Sequence, residues 1–375
     1  MNIGFDAKKA IVNLTGIGNY SRRVIEALSR EYPSDGLYLF GPRKKPVAPI
    51  IGMPDIHFVY PPAFGGKLTY ELWRNRFLRG DLRRNGIDVY HGLSNEIPTG
   101  LDRCQTRTVV TIHDLIFLTR PETFKPGMRL KLRKKTLYAC RHADRIIAVS
   151  RCTADDIIRL YDIDPARIDI VYQSIDPVFF TPVSDRTKAD VATRYSLPEK
   201  FVLCVGTIEQ RKNQELIIKA LPLVDKNIYA VIAGRSTPYQ QLLAGLAAEL
   251  GVADRVRFIN GLPNDDLPAL YQLASVFCLP SVYEGFGLPV AEALASRVPV
   301  IAATGSCLEE AGGQDSIYVD PFDEKALASS ITQITGDPEL HDRMISKGAE
   351  YVTRFSDAAM AKGLMETYRR ALSNR

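Results

Sequence analysis

The sequence predicts two doubly wound, Rossmann-like α/β domains in tandem, on three observations. Short apolar runs rich in β-branched residues alternate with amphipathic segments along the chain, the pattern of parallel strands covered on both faces. The alternation stops once, near Asp176-Pro177, and restarts near Lys200. At 375 residues the chain also exceeds what one hydrophobic core comfortably organises.

In chain order, the first half offers strand-like runs at 2–7, 37–41, 56–60, 87–91, 107–113, 144–150 and 168–172. A polar, strand-poor stretch then reaches Lys200 and reads as a hinge. Further runs follow at 200–206, 228–234, 255–260, 275–280, 298–302 and 315–319, so a second domain of the same class is expected. Residues 356–375 have helical periodicity, with neither Gly nor Pro after Gly363. The expected division is 1–177, 178–355 and a terminal helix at 356–375.

Composition narrows the function classes. The chain is 46% hydrophobic and 24% charged, without an apolar run near the roughly 18 residues a membrane span needs. Met1 to Phe5 begins a strand rather than a signal peptide. The six cysteines show neither CxxC pairing nor zinc-like His spacing, so reduced thiols and a cytoplasmic location are expected.

Charge is unevenly placed. Residues 1–176 hold 28 Lys/Arg against 19 Asp/Glu, a balance of +9, and the remainder holds 20 against 24, or −4. Lys67, Arg74, Arg76, Arg79, Arg83 and Arg84 share a stretch with Trp73 and Phe77. Lys125, Arg129, Lys131, Arg133, Lys134 and Lys135 interleave with Met128, Leu130 and Leu132. Such stretches suit an anionic lipid surface, or are solvated helix faces. No nucleic-acid-binding module accompanies them, so no nucleic-acid partner is expected.

Ligands of open α/β sheets bind beyond the carboxyl ends of the strands, so chemistry is sought there. The stretch Ser281-Val282-Tyr283-Glu284-Gly285-Phe286-Gly287-Leu288-Pro289-Val290-Ala291-Glu292 follows an apolar run and leads into a helix with Pro289 at its first position. Glu284 is expected in the loop and Glu292 in the first helical turn. Gly285 and Gly287, lacking Cβ atoms, let the backbone approach a ligand. Carboxylates there can accept from sugar hydroxyls or oppose charge developing on a sugar ring; the plain alternative is a solvated Glu and one favoured by the helix dipole.

Four other strand ends carry candidates. Gly16 and Gly18 form a GxG between the first strand and a helix expected near Ser21. Ser21 stands where a dinucleotide fingerprint needs its third glycine, which counts against a dehydrogenase and leaves an ordinary βα turn open. His113 closes the fifth strand, either packed in the core or facing ligand; His91 and Asn95, after the fourth, are read as acceptor-side. Arg211 and Lys212, in Val205-Gly206-Thr207-Ile208-Glu209-Gln210-Arg211-Lys212-Asn213, can neutralise a pyrophosphate at a helix start. Asp162-Ile163-Asp164 spells a DxD metal motif but reads as a helix-capping turn.

The phrase EGFGLPVAE closely resembles the signature of the retaining GT-B enzymes of glycosyltransferase family 4, and the likeness extends through the Gly16 loop and Ala143 to Ser150. It implies a GT-B fold, two Rossmann-like domains facing across a cleft, with the terminal helix returning to the first domain. It also implies transfer of a sugar from a nucleotide-diphospho-sugar, GDP- or UDP-linked and GDP-mannose among the candidates, to a hydroxyl of a glycan or lipid-linked acceptor.

The resemblance assigns roles residue by residue. Arg211 and Lys212 would hold the diphosphate, Glu284 the donor sugar and Glu292 the ribose, with Gly285, Phe286, Gly287 and Leu288 completing the donor loop. Gly16, supported by Gly18, would approach the diphosphate, and His113 the sugar or the leaving phosphate. The chain departs from the pattern at Thr207, where many members carry an arginine. No metal or other cofactor is implied. A sugar-nucleotide epimerase and a non-catalytic nucleotide-sugar-binding protein are the alternatives, and a peripheral position on the inner face of the plasma membrane would fit the basic stretches.

Overall fold

The computed structural model describes residues 1–43, 56–61 and 67–373, with side chains for all of these except 67–69 and 103. It forms two compact units, one of Met1–Ser174 with Asp357–Arg375, the other of Ile175–Ser356.

Unit 1 carries β1 (Asn2–Asp6), β2 (Gly36–Phe40), β3 (Ile56–Val59), β4 (Val89–Gly92), β5 (Arg107–Ile112), β6 (Arg145–Ala148) and β7 (Ile168–Ile170). They form one parallel sheet in the order β3-β2-β1-β4-β5-β6-β7. The order reverses between β1 and β4, which makes their carboxyl ends the topological switch point. Alternate residues of a strand serve opposite faces: Val109 and Ile147 join one apolar cluster, Val110 and Ile146 another. Double-sided burial is why these runs read as uninterrupted apolar segments.

The helix Gly16–Glu31 covers one face with Val24, Ile25 and Leu28, beside the terminal helix Asp357–Ser373, which adds Met360, Leu364, Met365 and Tyr368 to the same cluster. Asp357 meets Arg30 at 2.7 Å, and Arg370 meets Asp169. Both arginines are more than half exposed, so each pair is worth about 1 kcal/mol or less. Four large buried side chains at about 1.5–3 kcal/mol each make apolar packing the main tether of this helix.

Two residues of the first basic stretch are inside rather than on the surface. Trp73 is buried with Phe40 and Tyr90, its indole N–H donating to Asp81 at 2.7 Å. Arg74 is buried in a salt bridge to Asp6 at 2.5 Å.

Unit 2 carries β8 (Lys200–Val205), β9 (Ile228–Ala233), β10 (Val256–Ile259), β11 (Val276–Leu279), β12 (Val300–Ala303) and β13 (Ile317–Val319), parallel in the order β10-β9-β8-β11-β12-β13. Its switch point lies between β8 and β11. The strand-poor stretch before β8 contains a helix, Asp185–Arg194, N-capped by Ser184; Val191 is its only buried residue, so it lacks an apolar stripe to betray it.

Asp162 ends the helix Arg151–Tyr161 in a left-handed conformation, φ 54°, and Asp164 accepts from the Ala166 N–H, so the DxD sequence is a capping turn. Among the described residues no helix is long and apolar enough to cross a membrane.

Candidate functional site

In unit 2 the chain leaves β8 through Gly206, φ 144°, so close to Lys212 that a Cβ would lie 3.3 Å from its Cε. A Cβ on Gly234, after β9, would overlap the Gly206 carbonyl oxygen at 1.8 Å. This close passage needs both glycines. The loop then makes a 3-10 turn, Gln210–Lys212, and Asn213 takes a left-handed conformation, φ 54°. The cations therefore sit on a tight turn ahead of the short helix Glu215–Ala220, not on a helix start as the sequence suggested.

Asn213 holds this turn in place by donating to the carbonyls of Pro280, at 3.1 Å, and Pro321, at 2.6 Å, beyond β11 and β13. The second loop of the switch point runs from β11 through Glu284 to Gly287, whose φ of 96° N-caps the helix Leu288–Ala295. The helix begins one residue before Pro289, which makes Glu292 its fifth residue, one position later than expected and just past the first turn.

The two loops are laced together. The Lys212 ammonium contacts Glu284 Oε1 at 2.5 Å, and Arg211 Nη1 reaches Glu284 Oε2 at 3.0 Å. Arg211 also donates to the Tyr283 carbonyl at 2.7 Å and to Glu209 at 2.6 Å, and Val282 N–H donates back to the Arg211 carbonyl at 2.9 Å. Such convergence of cations and carboxylate at the carboxyl ends of β8 and β11 offers partners to a ligand with both negative charge and hydroxyls.

The two carboxylates are driven apart electrostatically. Burial pushes Glu284 up, but Lys212 and Arg211 overcome it and bring its pKa to about 2. Burial likewise lifts Glu292, Asp176 adds to the rise, and the Tyr271 hydroxyl and Lys212 offset it only partly, leaving about 7. Burial works against the charge on Arg211, and Glu284 and Glu209 more than restore it. One carboxylate is thus fixed as an anion and the other is poised near neutrality, the separation expected of groups with different tasks.

The remaining donor-loop residues divide. Gly285 and Leu288 are half-buried and Gly287 is buried. Phe286 does not present its ring to a ligand; it is 2% exposed and packs edge-on to Phe355 at 5.2 Å. Only its backbone is available to the loop.

In unit 1 the helix starts at Gly16, five residues earlier than read, so Gly16 and Gly18 lie in its first turn. A Cβ at Gly16 would meet nothing within 4 Å, whereas one at Gly18 would lie 2.0 Å from the Asn13 carbonyl oxygen. Gly16 leaves open the approach to unpaired first-turn N–H groups; Gly18 is demanded by packing.

His113 Nε2 lies 2.9 Å from the Leu93 carbonyl. A carbonyl only accepts, so Nε2 carries the proton and Nδ1 is left as an acceptor. Burial, only partly opposed by that bond, lowers the pKa to about 4 and keeps the ring neutral. Tyr20 packs edge-on against it at 4.7 Å.

His91 is not at a rim. It is fully buried, its Nδ1 2.8 Å from the Tyr368 hydroxyl and its Nε2 2.8 Å from the Thr111 hydroxyl, with both ring nitrogens occupied and burial lowering its pKa to about 3. Strand alternation turned this residue inward, which a motif at a strand end does not reveal. Asn95, φ 56°, brackets His113: its Oδ1 accepts from the His113 N–H at 2.7 Å and its Nδ2 donates to the Asp114 carbonyl at 3.1 Å. Its amide serves the loop that holds His113.

Sequence reasoning missed Asn213, signalled only by its place after Arg211-Lys212, and Tyr271, which bonds Glu292 at 2.9 Å from a helix carrying no motif.

Residues 14–179 match the family described as Glycosyltransferase Family 4, and residues 185–351 match Glycosyl transferases group 1. The chain is 30% identical over 294 residues to the O-antigen chain mannosyltransferase B of Escherichia coli, across 77% of this chain and 76% of that one. Sucrose-phosphate synthase from Thermosynechococcus elongatus superposes with a TM-score of 0.80 at 22% identity over the whole of both chains. Anabaena HepE in complex with UDP-glucose gives 0.76 at 17%, over 99% of this chain and 100% of that one. At these identities the structural likeness establishes the fold, GT-B.

Proposed function

Because this chain belongs to glycosyltransferase family 4, we propose that it is a retaining, metal-independent enzyme that transfers a sugar from a nucleotide-diphospho-sugar to a hydroxyl of a glycan or lipid-linked acceptor, in surface polysaccharide or glycolipid assembly. The observation that carries this reading is the convergence of Arg211 and Lys212 on Glu284, with Glu292 within electrostatic reach of Lys212.

In this reading the donor diphosphate takes over the two cations, and the displaced Glu284 accepts from the donor sugar while Glu292 accepts from the ribose. Gly16 offers a diphosphate the unpaired N–H groups of a helix start. His113, with Nδ1 able only to accept, suits a sugar hydroxyl rather than a phosphate oxygen. As the bond to the leaving phosphate lengthens, the anomeric carbon gains oxocarbenium character, the cations stabilise the charge passing to the diphosphate, and a phosphate oxygen on the same face takes the acceptor's proton. No side-chain nucleophile is required. Arg211 supplies the second cation that Thr207 lacks.

The sugar is open; the mannosyltransferase name of the Escherichia coli relative makes GDP-mannose the first donor to test, and the UDP-glucose complex of the Anabaena protein makes UDP-glucose the second. The test incubates the protein and each donor with and without an acceptor glycan, in the presence of EDTA, and follows nucleoside diphosphate release and product anomeric configuration. Acceptor-dependent release with retained configuration supports the proposal. Conversion of the donor sugar without acceptor points to an epimerase, and tight donor binding without turnover to a non-catalytic binder.

A peripheral membrane position is supported by one surface. The helix Pro126–His142 exposes Met128 by 57% and Leu130 by 52% among Arg129, Lys131, Arg133 and Lys134. Among the described residues no ion pair ties down those four cations. Apolar side chains set among unpaired cations suit an anionic leaflet, and sedimentation with phosphatidylglycerol vesicles but not with phosphatidylcholine vesicles would bear this out.

A further inference from the structure

Tyr271 lies on the helix Leu267–Leu273, which precedes β11, and is fully buried. Its ring stands edge-on to Phe179 at 5.6 Å and tilted against Phe277 at 5.5 Å, so packing on two sides leaves it one orientation. That orientation brings its hydroxyl to 2.9 Å from Glu292 Oε2. Burial and the neighbouring Glu292 hold the phenol well above its ordinary pKa, so the hydroxyl keeps its proton and donates.

Among the described residues this is the only hydrogen bond to the Glu292 carboxylate. The charged groups facing Glu292 are Asp176, next to the turn Pro177–Phe180, and Lys212, on the turn after β8. Asp176 opposes ionisation of Glu292 and Lys212 favours it. Tyr271 decides between them by bonding the ionised form and fixing which oxygen remains for a ligand. A ribose diol presents two hydroxyl donors and needs an ionised, oriented carboxylate to receive them both.

We infer that Tyr271 is a positioning residue that sets the pH range of donor binding, by holding Glu292 in the orientation and charge state a ribose diol requires. The inference rests on the ribose role proposed for Glu292. It reaches beyond that role in making a buried residue outside every motif the determinant of how donor affinity responds to acidity. Protonation would leave Glu292 one acceptor oxygen fewer and a hydroxyl that opposes the diol.

The test titrates the full chain with GDP and UDP by calorimetry between pH 6 and 8.5, comparing wild type, Tyr271→Phe and Glu292→Gln at each pH so that titration of the nucleotide cancels. Wild type is expected to lose affinity on the acid side of neutrality. Tyr271→Phe should bind within about twofold of wild type at pH 8.5 and about three- to tenfold more weakly at pH 6.5, the span of one hydrogen bond. Glu292→Gln should bind weakly and lack the acid-side fall.

A Tyr271→Phe profile parallel to wild type, weakened equally at every pH or not at all, overturns the inference while leaving the ribose role standing. Unchanged affinity in Glu292→Gln defeats the ribose role itself. Should Tyr271→Phe fail to fold by thermal melting, Phe179→Leu, which removes one of the two rings that orient Tyr271, is titrated in its place. A steeper acid-side fall than wild type supports the inference, and a profile parallel to wild type overturns it.

Discussion

Glu284 closes a buried bridge with Lys212 at 2.5 Å, and its other oxygen reaches Arg211 at 3.0 Å. The two cations proposed to hold a diphosphate are therefore paired with two carboxylates of their own loop system, Glu284 and Glu209. In the proposed role of these cations, an incoming diphosphate competes with Glu284. Losing one partner of such a buried pair costs about 3–5 kcal/mol, so a donor that replaced Glu284 without re-engaging it would bind poorly. In the proposed role of Glu284, a sugar hydroxyl that recaptures the carboxylate offsets that cost.

Glu284→Gln separates the two halves of this exchange. The neutral amide competes less for the cations, so nucleoside diphosphate should bind several-fold more tightly, while turnover of the nucleotide-sugar falls by about 10²–10³, the scale of one lost electrostatic contact to a transition state. Lys212→Ala should weaken both. Calorimetry with GDP or UDP beside initial rates decides; near-native turnover in both variants would remove the site from the reaction.

The two glycines of the first helix should behave oppositely. Gly18→Ala places a Cβ 2.0 Å from a backbone oxygen and should lower the melting temperature by several degrees or prevent folding. Gly16→Ala adds its methyl to open space, should melt as wild type does, and should lose donor affinity if ligand approaches that backbone. Equal melting temperatures for the two variants would contradict this packing.

His91 and His113 predict an acid-labile unit 1. Burial holds their folded pKa values at about 3 and about 4, below the unfolded value of about 6.5. The unfolded chain therefore binds more protons between those limits. The stability these histidines contribute is complete above about pH 6.5 and declines as the pH falls toward 4. His91→Gln should melt lower at pH 7.5 but lose less stability between pH 7 and 4.5; a wild-type slope in the variant would show that other groups set the acid limb.

Arg74 and Asp6 are each about 5% exposed and paired at 2.5 Å, with Glu96 at 3.6 Å from the same guanidinium. Arg74→Met should destabilise by about 3–5 kcal/mol because it leaves Asp6 buried without its cation. The double variant with Asp6→Asn should recover part of that loss, read from urea midpoints. Additive losses would show that the two side chains are not coupled.

The sequence by itself determined the repeated strand-helix alternation, because strands buried on both faces must be apolar throughout and their crossovers amphipathic. It also determined the loop around Glu284, since Gly287 and Pro289 impose backbone geometry through local covalent limits. Tertiary structure alone decided which side chains meet. The pairing of Glu284 with Lys212, the Tyr271 hydroxyl on Glu292 and the inward turn of His91 depend on sheet order, on how helices pack on the sheet and on which face of a strand a residue takes. A one-residue change in register reverses that face, and long-range partners leave no local pattern to read.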